Sequence, residues 1–435
     1  MITLLLAACV VPAEPAAKDP TTPADTDRPV DTDPALDTID TLDPADPAAD
    51  AARVRALIER GGDVGAVLRD VAWSAGWPVW DGEGSYLIVA PGEDPWQLAG
   101  PFNDWTPTPM TRADGFSWAA VAIASPWDVG YKLVLPGDGG APDVWLADPW
   151  ARFYTWDDNG RMSLLAAGSD HPHLERWPGL TGRGLAARDV DVWVPAGEGP
   201  WPLLVMHDGR NLFDPEAIWG GWRLGEALDA ASGPVLVVGL DNTPDRMSEY
   251  THAADTIAGL GAFEPRGDDY ADLVALDVVP WAEATWSTDG RRGVMGSSLG
   301  GLISLYIAHR HPGTFTFAGS LSGTLGWGRF GEDHPTVGDL YAPEGHRDTV
   351  IYADSGGGPG EDDRCRDLDR DGWPEDDPDS ADNYCETRQF VDQLAGQGYA
   401  WDDDLFHVWQ QGAPHNEAAW ASRVGVALER LLAAP

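Results

Sequence analysis

Lysine is almost missing from this sequence. The 435-residue chain has 28 basic residues, and only Lys18 and Lys132 are lysines. Set against 71 acidic residues they leave a formal net charge of −43. A field of that sign repels phosphate backbones and anionic lipid, which excludes nucleic acid and a charge-bound membrane surface as partners. The acidity itself suits solubility or the binding of cations such as calcium. Cysteine is also scarce, with Cys9 near the start and Cys365 and Cys385 close together. The apolar start MITLLLAAC is too short to cross a bilayer as a helix. No internal repeat is visible. Residues 9–50, rich in Pro, Thr, Ala and Asp, lack apolar periodicity. They cannot bury enough surface to offset the entropy of ordering, so they are expected to be a disordered, extended tether.

What is present is enough for two domains. Val54, Leu57, Ile58, Val64, Val67, Leu68 and Val71 repeat with a helical period over 51–76, broken at Gly61-Gly62. This is a helical lead-in. Across 77–170 short apolar runs alternate with turn clusters, which reads as an all-β sandwich. From about 185 to 435 buried-type strands (PLLVMHDG, PVLVVGLDN, RGVMGSS, FAGSLSG, TVIYADSG, FHVWQQGA) alternate with helices. Alternation of this kind predicts a mainly parallel sheet with helices on both faces, an α/β domain.

Gly296-Ser297-Ser298-Leu299-Gly300 is a G-x-S-x-G between a strand and a helix, the context a nucleophile elbow requires. Ser298 is the candidate nucleophile, with backbone N–H groups at a helix start facing an oxyanion. A triad on such a sheet runs Ser, then Asp or Glu, then His. His407 sits inside the last strand and should pack. His415 lies just past that strand, where open α/β sheets carry their reactive groups, and is the candidate base. His309 and His311 end a helix and read as structural.

The set VMHDGRNLF, GLDNTPDRMSEYT, GSSLGGL, SLSG with Trp327, and GAPHNEAAWASR resembles the feruloyl and enterobactin esterase-like branch of the α/β-hydrolases over roughly 185–432. The resemblance implies an α/β-hydrolase fold and carries over Ser298 and His415. It implies that the N–H groups of Arg210 and Leu299 form the oxyanion hole. It also implies that Arg246, Glu249, Tyr250 and Trp327 shape the substrate side. The acid is expected in the loop after TVIYADSG; Asp354 sits on the strand itself, and Glu361, Asp362, Asp363 and Asp382 lie in the loop. The family's spacing favours Asp382, with Asp362 next.

Two further resemblances concern the N-terminal part. LAGPFNDWTPTPM, GFSWAAVAI, GYKLVLPGDG and WLADP are similar to a CBM48-like, immunoglobulin-like early-set module. In sugar-binding members the positions of Trp105, Lys132 and Trp145 contact glycan, whereas in others they only pack. Leu6-Ala7-Ala8-Cys9 resembles a bacterial lipoprotein signal over residues 1–8, which implies a lipid anchor on Cys9 and a place in the cell envelope, at the outer membrane or cell surface. It lacks the basic residues that usually precede such a signal. Export would let Cys365 and Cys385 form a disulfide.

Between those cysteines lies an insertion, 357–385, with a D-x-D-x-D-G run. Asp367, Asp369, Asp371, Trp373 and Asp376 are candidate ligands of a structural calcium ion, against a merely solvated acidic loop. Catalysis itself calls for no cofactor. The expected function is a serine carboxylic-ester hydrolase acting on acyl or feruloyl esters of polysaccharide. A siderophore esterase is the alternative, and a non-catalytic surface glycan-binding lipoprotein is the alternative of another class.

Overall fold

The computed structural model describes residues 46–137, 141–257, 259–359, 364–367 and 380–435. The lipoprotein signal with Cys9, the tether up to residue 45, and Asp362, Asp369, Asp371, Trp373 and Asp376 lie outside them. The described chain forms two compact units, 46–180 with 189–198, and 181–188 with 199–435. Among the described residues no helix is long and apolar enough to cross a membrane.

The N-terminal unit opens on helices Pro47–Arg60 and Val64–Ala72. The first starts earlier than the apolar period indicates. Asp46 accepts hydrogen bonds from the N–H groups of Ala48 and Ala49, and Pro47 stands at the first helical position, where its missing N–H costs nothing.

The strands that follow are β1 (Val79–Trp80), β2 (Ser85–Pro91), β3 (Gln97–Ala99), β4 (Thr108–Pro109), β5 (Thr111–Ala113), β6 (Phe116–Ala122), β7 (Gly130–Leu135), β8 (Val144–Leu146), β9 (Phe153–Asp157), β10 (Gly160–Leu164), β11 (His173–Gly182) and β12 (Leu185–Val194). One sheet has the order β1-β2-β6-β5, and a second path runs β12-β11-β9-β10-β7-β3-β4. The tip of the β11–β12 hairpin, 181–188, is counted with the C-terminal unit.

Strand β2 is buried on both faces. Leu87 and Val89 join a cluster with Val54, Leu57, Leu68 and Val71 of the two helices, while Ile88 and Ala90 join Leu98, Tyr131 and Leu133. The period-2 alternation of a strand sends successive side chains to opposite cores. The N-terminal helices are therefore part of the core of this unit, not a separate lead-in.

The C-terminal unit is built on β13 (Trp201–His207), β14 (Leu236–Leu240), β17 (Thr288–Ser297), β18 (Phe317–Leu321), β19 (Val350–Ser355) and β20 (Leu405–Trp409), with a small hairpin of β15 (Asp255–Ile257) and β16 (Gly261–Phe263). The order β20-β19-β18-β17-β13-β14 is parallel throughout. Every residue of β13, β14, β18 and β19 is buried, as expected of a sheet covered on both faces. The helices Leu299–Arg310, Tyr384–Gly396 and Glu417–Ala433 match the expected positions. The strand order reverses between β13 and β17. That switch point is where open parallel sheets leave a crevice at their carboxyl ends.

Candidate active site

Ser298 directly follows β17 and has φ 57° and ψ −125°. This left-handed backbone is strained for a serine, and such strain collects at functional sites. Of the two flanking glycines, Gly296 is required by closeness, while Gly300 has room for a Cβ in ordinary contact. A Cβ on Gly296 would lie 2.8 Å from the carbonyl carbon of Gly300. A Cβ on Gly300 would lie 3.4 Å from Asp208 Oδ2. The turn is held by bonds from Ser298 N–H to Leu321 O (3.0 Å) and from Leu302 and Thr324 N–H to Ser298 O (3.1 and 3.2 Å). Ser298 Oγ lies 3.4 Å from Thr324 Oγ1. It makes no hydrogen bond to His415 among the described residues. Bonds of this kind often tighten only with substrate in place.

The candidate acid and base are joined. His415 Nδ1 is 2.7 Å from Asp382 Oδ1, and both side chains are buried. Asp382 Oδ1 also accepts from the N–H of Asn383 at 2.9 Å. Its Oδ2 accepts from Ser322 Oγ at 2.5 Å and from the N–H of Gly356 at 2.6 Å. Burial raises this carboxyl, but the charge and hydrogen bond of His415, with those of Ser322 and Gly356, outweigh it and hold Asp382 below the usual range. The group is thus an anion suited to fix the imidazole tautomer and to stabilise its protonated form. The Trp420 ring meets His415 edge-on at 5.2 Å. Asp354, the earlier carboxyl on the same side of the chain, is also buried, but it pairs with Arg423 rather than with His415.

The loop after β13 carries Arg210, and the turn after β17 carries Leu299. Among the described residues the backbone N–H groups of Arg210 and Leu299 donate to no protein acceptor. Leu299 begins the helix behind Ser298 and Arg210 begins the short helix Arg210–Phe213. Two free N–H groups, one at each side of the sheet's switch point, suit an oxyanion. Glu417, two residues past His415, is pushed up to about 7 by burial and by the charge of Asp208. Its Oε1 lies 3.5 Å from Asn211 Nδ2, beside Arg210.

The structure corrects four substrate-side expectations. Arg246 is buried and gives a two-pronged bond to Asp208, from Nε to Oδ1 (2.7 Å) and from Nη2 to Oδ2 (2.8 Å). Glu249 is fully buried against Arg188 (2.8 and 3.1 Å) and Thr243 (3.0 Å). Tyr250 is fully buried, and its hydroxyl accepts from the Asp208 N–H at 3.2 Å. With His207, whose basicity burial and the charges of Arg246 and Arg188 depress to about 3, these groups form a scaffold behind the Arg210 loop. Trp327 is fully buried too, donating from Nε1 to Ala253 O at 2.9 Å, and packs beside Phe263 and Phe330. None of the four has a face open to a ligand. Sequence spacing identified the segment but could not tell a pocket wall from its buttress. Arg246→Ala is expected to lower unfolding free energy by about 3–5 kcal/mol in denaturant titration, because it strands Asp208 as a buried unpaired charge.

The other candidates are scattered. Cys365 and Cys385 form a disulfide with Cα atoms 5.5 Å apart. Cys385 lies in the first turn of the helix that follows Asp382. Among the described residues no group of three or more His, Cys, Asp or Glu could hold a metal, and of the calcium candidates only Asp367 is described. In the N-terminal unit Trp105 and Trp145 are exposed, with ring centroids 6.5 Å apart. Lys132 does not join them. It is buried, donates to Asn159 O (2.9 Å) and lies 3.7 Å from Asp157, so it is a packing residue here, a correction to the glycan-contact expectation. His407 packs in β20 as expected, and burial lowers it to about 4.

Sequence reasoning missed Ser322, Arg423 and Glu417 as parts of the site. Each was inside a quoted motif, and nothing in the spacing marked them out.

Residues 187–431 match the family model described as "Putative esterase". A curated relative, the uncharacterized protein YbbA of Bacillus subtilis (strain 168), is 30% identical over 131 residues, 29% of this chain and 51% of that protein. The chain thus spans about half the length of that relative. Among solved structures, the enterobactin esterase FES of Shigella flexneri, with 2,3-dihydroxy-N-benzoyl-serine, is 17% identical, with a TM-score of 0.44 over 80% of this chain and 93% of that one. An IroE-like serine hydrolase of Shewanella oneidensis is 16% identical, with a TM-score of 0.44 over 58% of this chain and 79% of that one. With its family model covering more than half of the sequence, the chain belongs to the putative-esterase family.

Proposed function

We propose that the protein is a serine carboxylic-ester hydrolase. The observation that carries this reading is the buried 2.7 Å bond between Asp382 and His415, on loops that follow the same sheet edge as the strained Ser298. Ser298 Oγ attacks the ester carbonyl carbon as His415 Nε2 takes its proton. The negative charge that develops on the carbonyl oxygen is held by the N–H groups of Arg210 and Leu299. The bond to the alcohol then breaks, the alcohol leaves with the proton from His415, and an acyl-enzyme is left. Water repeats the sequence and frees the acid. Asp382 stays ionised throughout and steadies the imidazolium.

For the substrate we propose acyl or feruloyl esters of polysaccharide. The exposed pair Trp105 and Trp145 supports a sugar-stacking role for a CBM48-like sandwich. Siderophore trilactones are the competing substrate class. A panel of p-nitrophenyl acetate, feruloyl-arabinoxylan fragments and catecholate trilactones tests the proposal. Preference for the feruloyl fragments supports it, preference for the trilactones replaces the substrate class, and no turnover of any ester leaves only the non-catalytic glycan-binding reading.

We also propose, on the sequence pattern alone, that the chain is exported and anchored through Cys9 to the cell envelope. A structural calcium ion in the acidic insertion belongs to the same proposal. Its expected outcome is a fall in melting temperature on adding EDTA, restored by calcium and not by magnesium.

A further inference from the structure

Three segments meet behind the catalytic acid, and their centre is Ser322. This residue follows β18 with a left-handed φ of 48°. Its N–H donates to the carbonyl oxygen of Asp354 at 2.9 Å and lies 3.2 Å from Asp354 Oδ1. Its hydroxyl donates to Asp382 Oδ2 at 2.5 Å and accepts from Arg423 Nη2 at 2.8 Å. Arg423 Nη2 is also 3.1 Å from Asp354 Oδ1 and 3.9 Å from Asp382 Oδ2, while Nη1 donates to Gln410 Oε1 at 2.9 Å. The Tyr352 hydroxyl donates to Asp354 Oδ2 at 2.9 Å. Ser322 and Asp354 are wholly buried, and Arg423 is 3% exposed.

A triad needs one carboxylate and one imidazole. Here a second carboxylate and a guanidinium share the same dry pocket. A cation 3.9 Å from Asp382 competes with His415 for its negative charge. At that range and burial the interaction is weakly screened. Left unbalanced, it would make the imidazolium less favourable and His415 a weaker base. Asp354 places an equal and opposite charge against Arg423. Charges then alternate along the row Asp354, Arg423, Asp382, His415.

We propose that Asp354 and Arg423 are positioning residues for the triad, with Asp354 neutralising Arg423 so that Asp382 keeps its charge for His415, and Ser322 bridging the two pairs. The proposal rests on the ester-hydrolase reading above. Burial, together with the charge of Asp382, raises Asp354 to about 6 against the pull of Arg423 and Tyr352. Above that pH the row is balanced. Below it Asp354 takes a proton and Arg423 stands unbalanced. The other ionisable neighbours are Glu417, beside His415 and near the Asp208–Arg246 pair, and Tyr352 and Arg430 on the far side of Asp354. They are the same in every variant below, so the comparison is between shifts.

The test is kcat/KM for p-nitrophenyl acetate against pH for the wild type, Asp354→Asn, Arg423→Gln, Arg423→Lys and the double variant Asp354→Asn/Arg423→Gln. Melting temperatures are recorded for each. Asp354→Asn is expected to move the acid limb down by roughly half to one pH unit, and Arg423→Gln to move it up by a similar amount. The double variant returns towards the wild-type limb, and Arg423→Lys stays close to it. Lower activity with unmoved limbs, or limbs that move in the same direction, overturns the proposal. If Arg423→Gln does not fold, an unmoved limb in Asp354→Asn is enough to do so. A wild type with no ester turnover at any pH instead removes the esterase reading itself.

Discussion

Ser298→Ala is expected to lower kcat on any accepted ester by about 10⁵- to 10⁶-fold, the size of loss seen when a triad nucleophile is removed. The expectation follows from the backbone as much as from the motif. Ser298 occupies φ 57° with its hydroxyl at the start of a buried helix, and Gly296 sits closer to Gly300 than a Cβ allows. Because alanine is also strained at positive φ, Ser298→Gly is the control that relieves the strain without restoring the hydroxyl. Both variants should keep the wild-type fold and lose turnover. A Gly variant that recovers activity would show that another group attacks the ester.

Asp382→Asn is expected to cost about 10⁴-fold in kcat with little change in KM, because the amide no longer fixes the correct tautomer of His415 or balances its charge. Asp382 is the sole described carboxylate bonded to His415, with its remaining lone pairs filled by Ser322, Gly356 and Asn383. Asp354→Asn should differ in kind, shifting the pH profile rather than abolishing turnover. If Asp382→Asn keeps most of its activity while Asp362→Asn loses it, the acid is Asp362.

Much of the C-terminal unit is legible in the sequence because its strands are short apolar runs bounded by turn residues and its helices have clear apolar periods. The elbow is legible because G-x-S-x-G fell between a strand and a helix. What the sequence did not disclose is direction. Arg246 and Glu249 lie in a one-turn helix capped by Tyr250, and Trp327 lies in a turn, pieces too short to show an apolar period, so all four looked like a pocket wall when their side chains are buried in the protein. Lys132 misled too, since a strand residue at a ligand position gives no sign of which partner it will meet.

The row from Asp354 to His415 was hidden by distance along the chain. Ser322 meets Asp382 across 60 residues and Arg423 across 101. No local pattern encodes such a meeting. It follows from parallel strands that bring the ends of β18, β19 and β20 to one edge. The start of the first helix was a smaller miss of another kind, where capping by Asp46 outweighed the absence of an apolar period.

The most direct test of the central claim is covalent. Treating the protein with a fluorophosphonate and mapping the adduct by mass spectrometry asks which residue attacks. One adduct on Ser298, lost in Ser298→Ala and slowed in Asp382→Asn, is the expected result. Ester hydrolysis without any adduct, or an adduct on a different residue, contradicts the account.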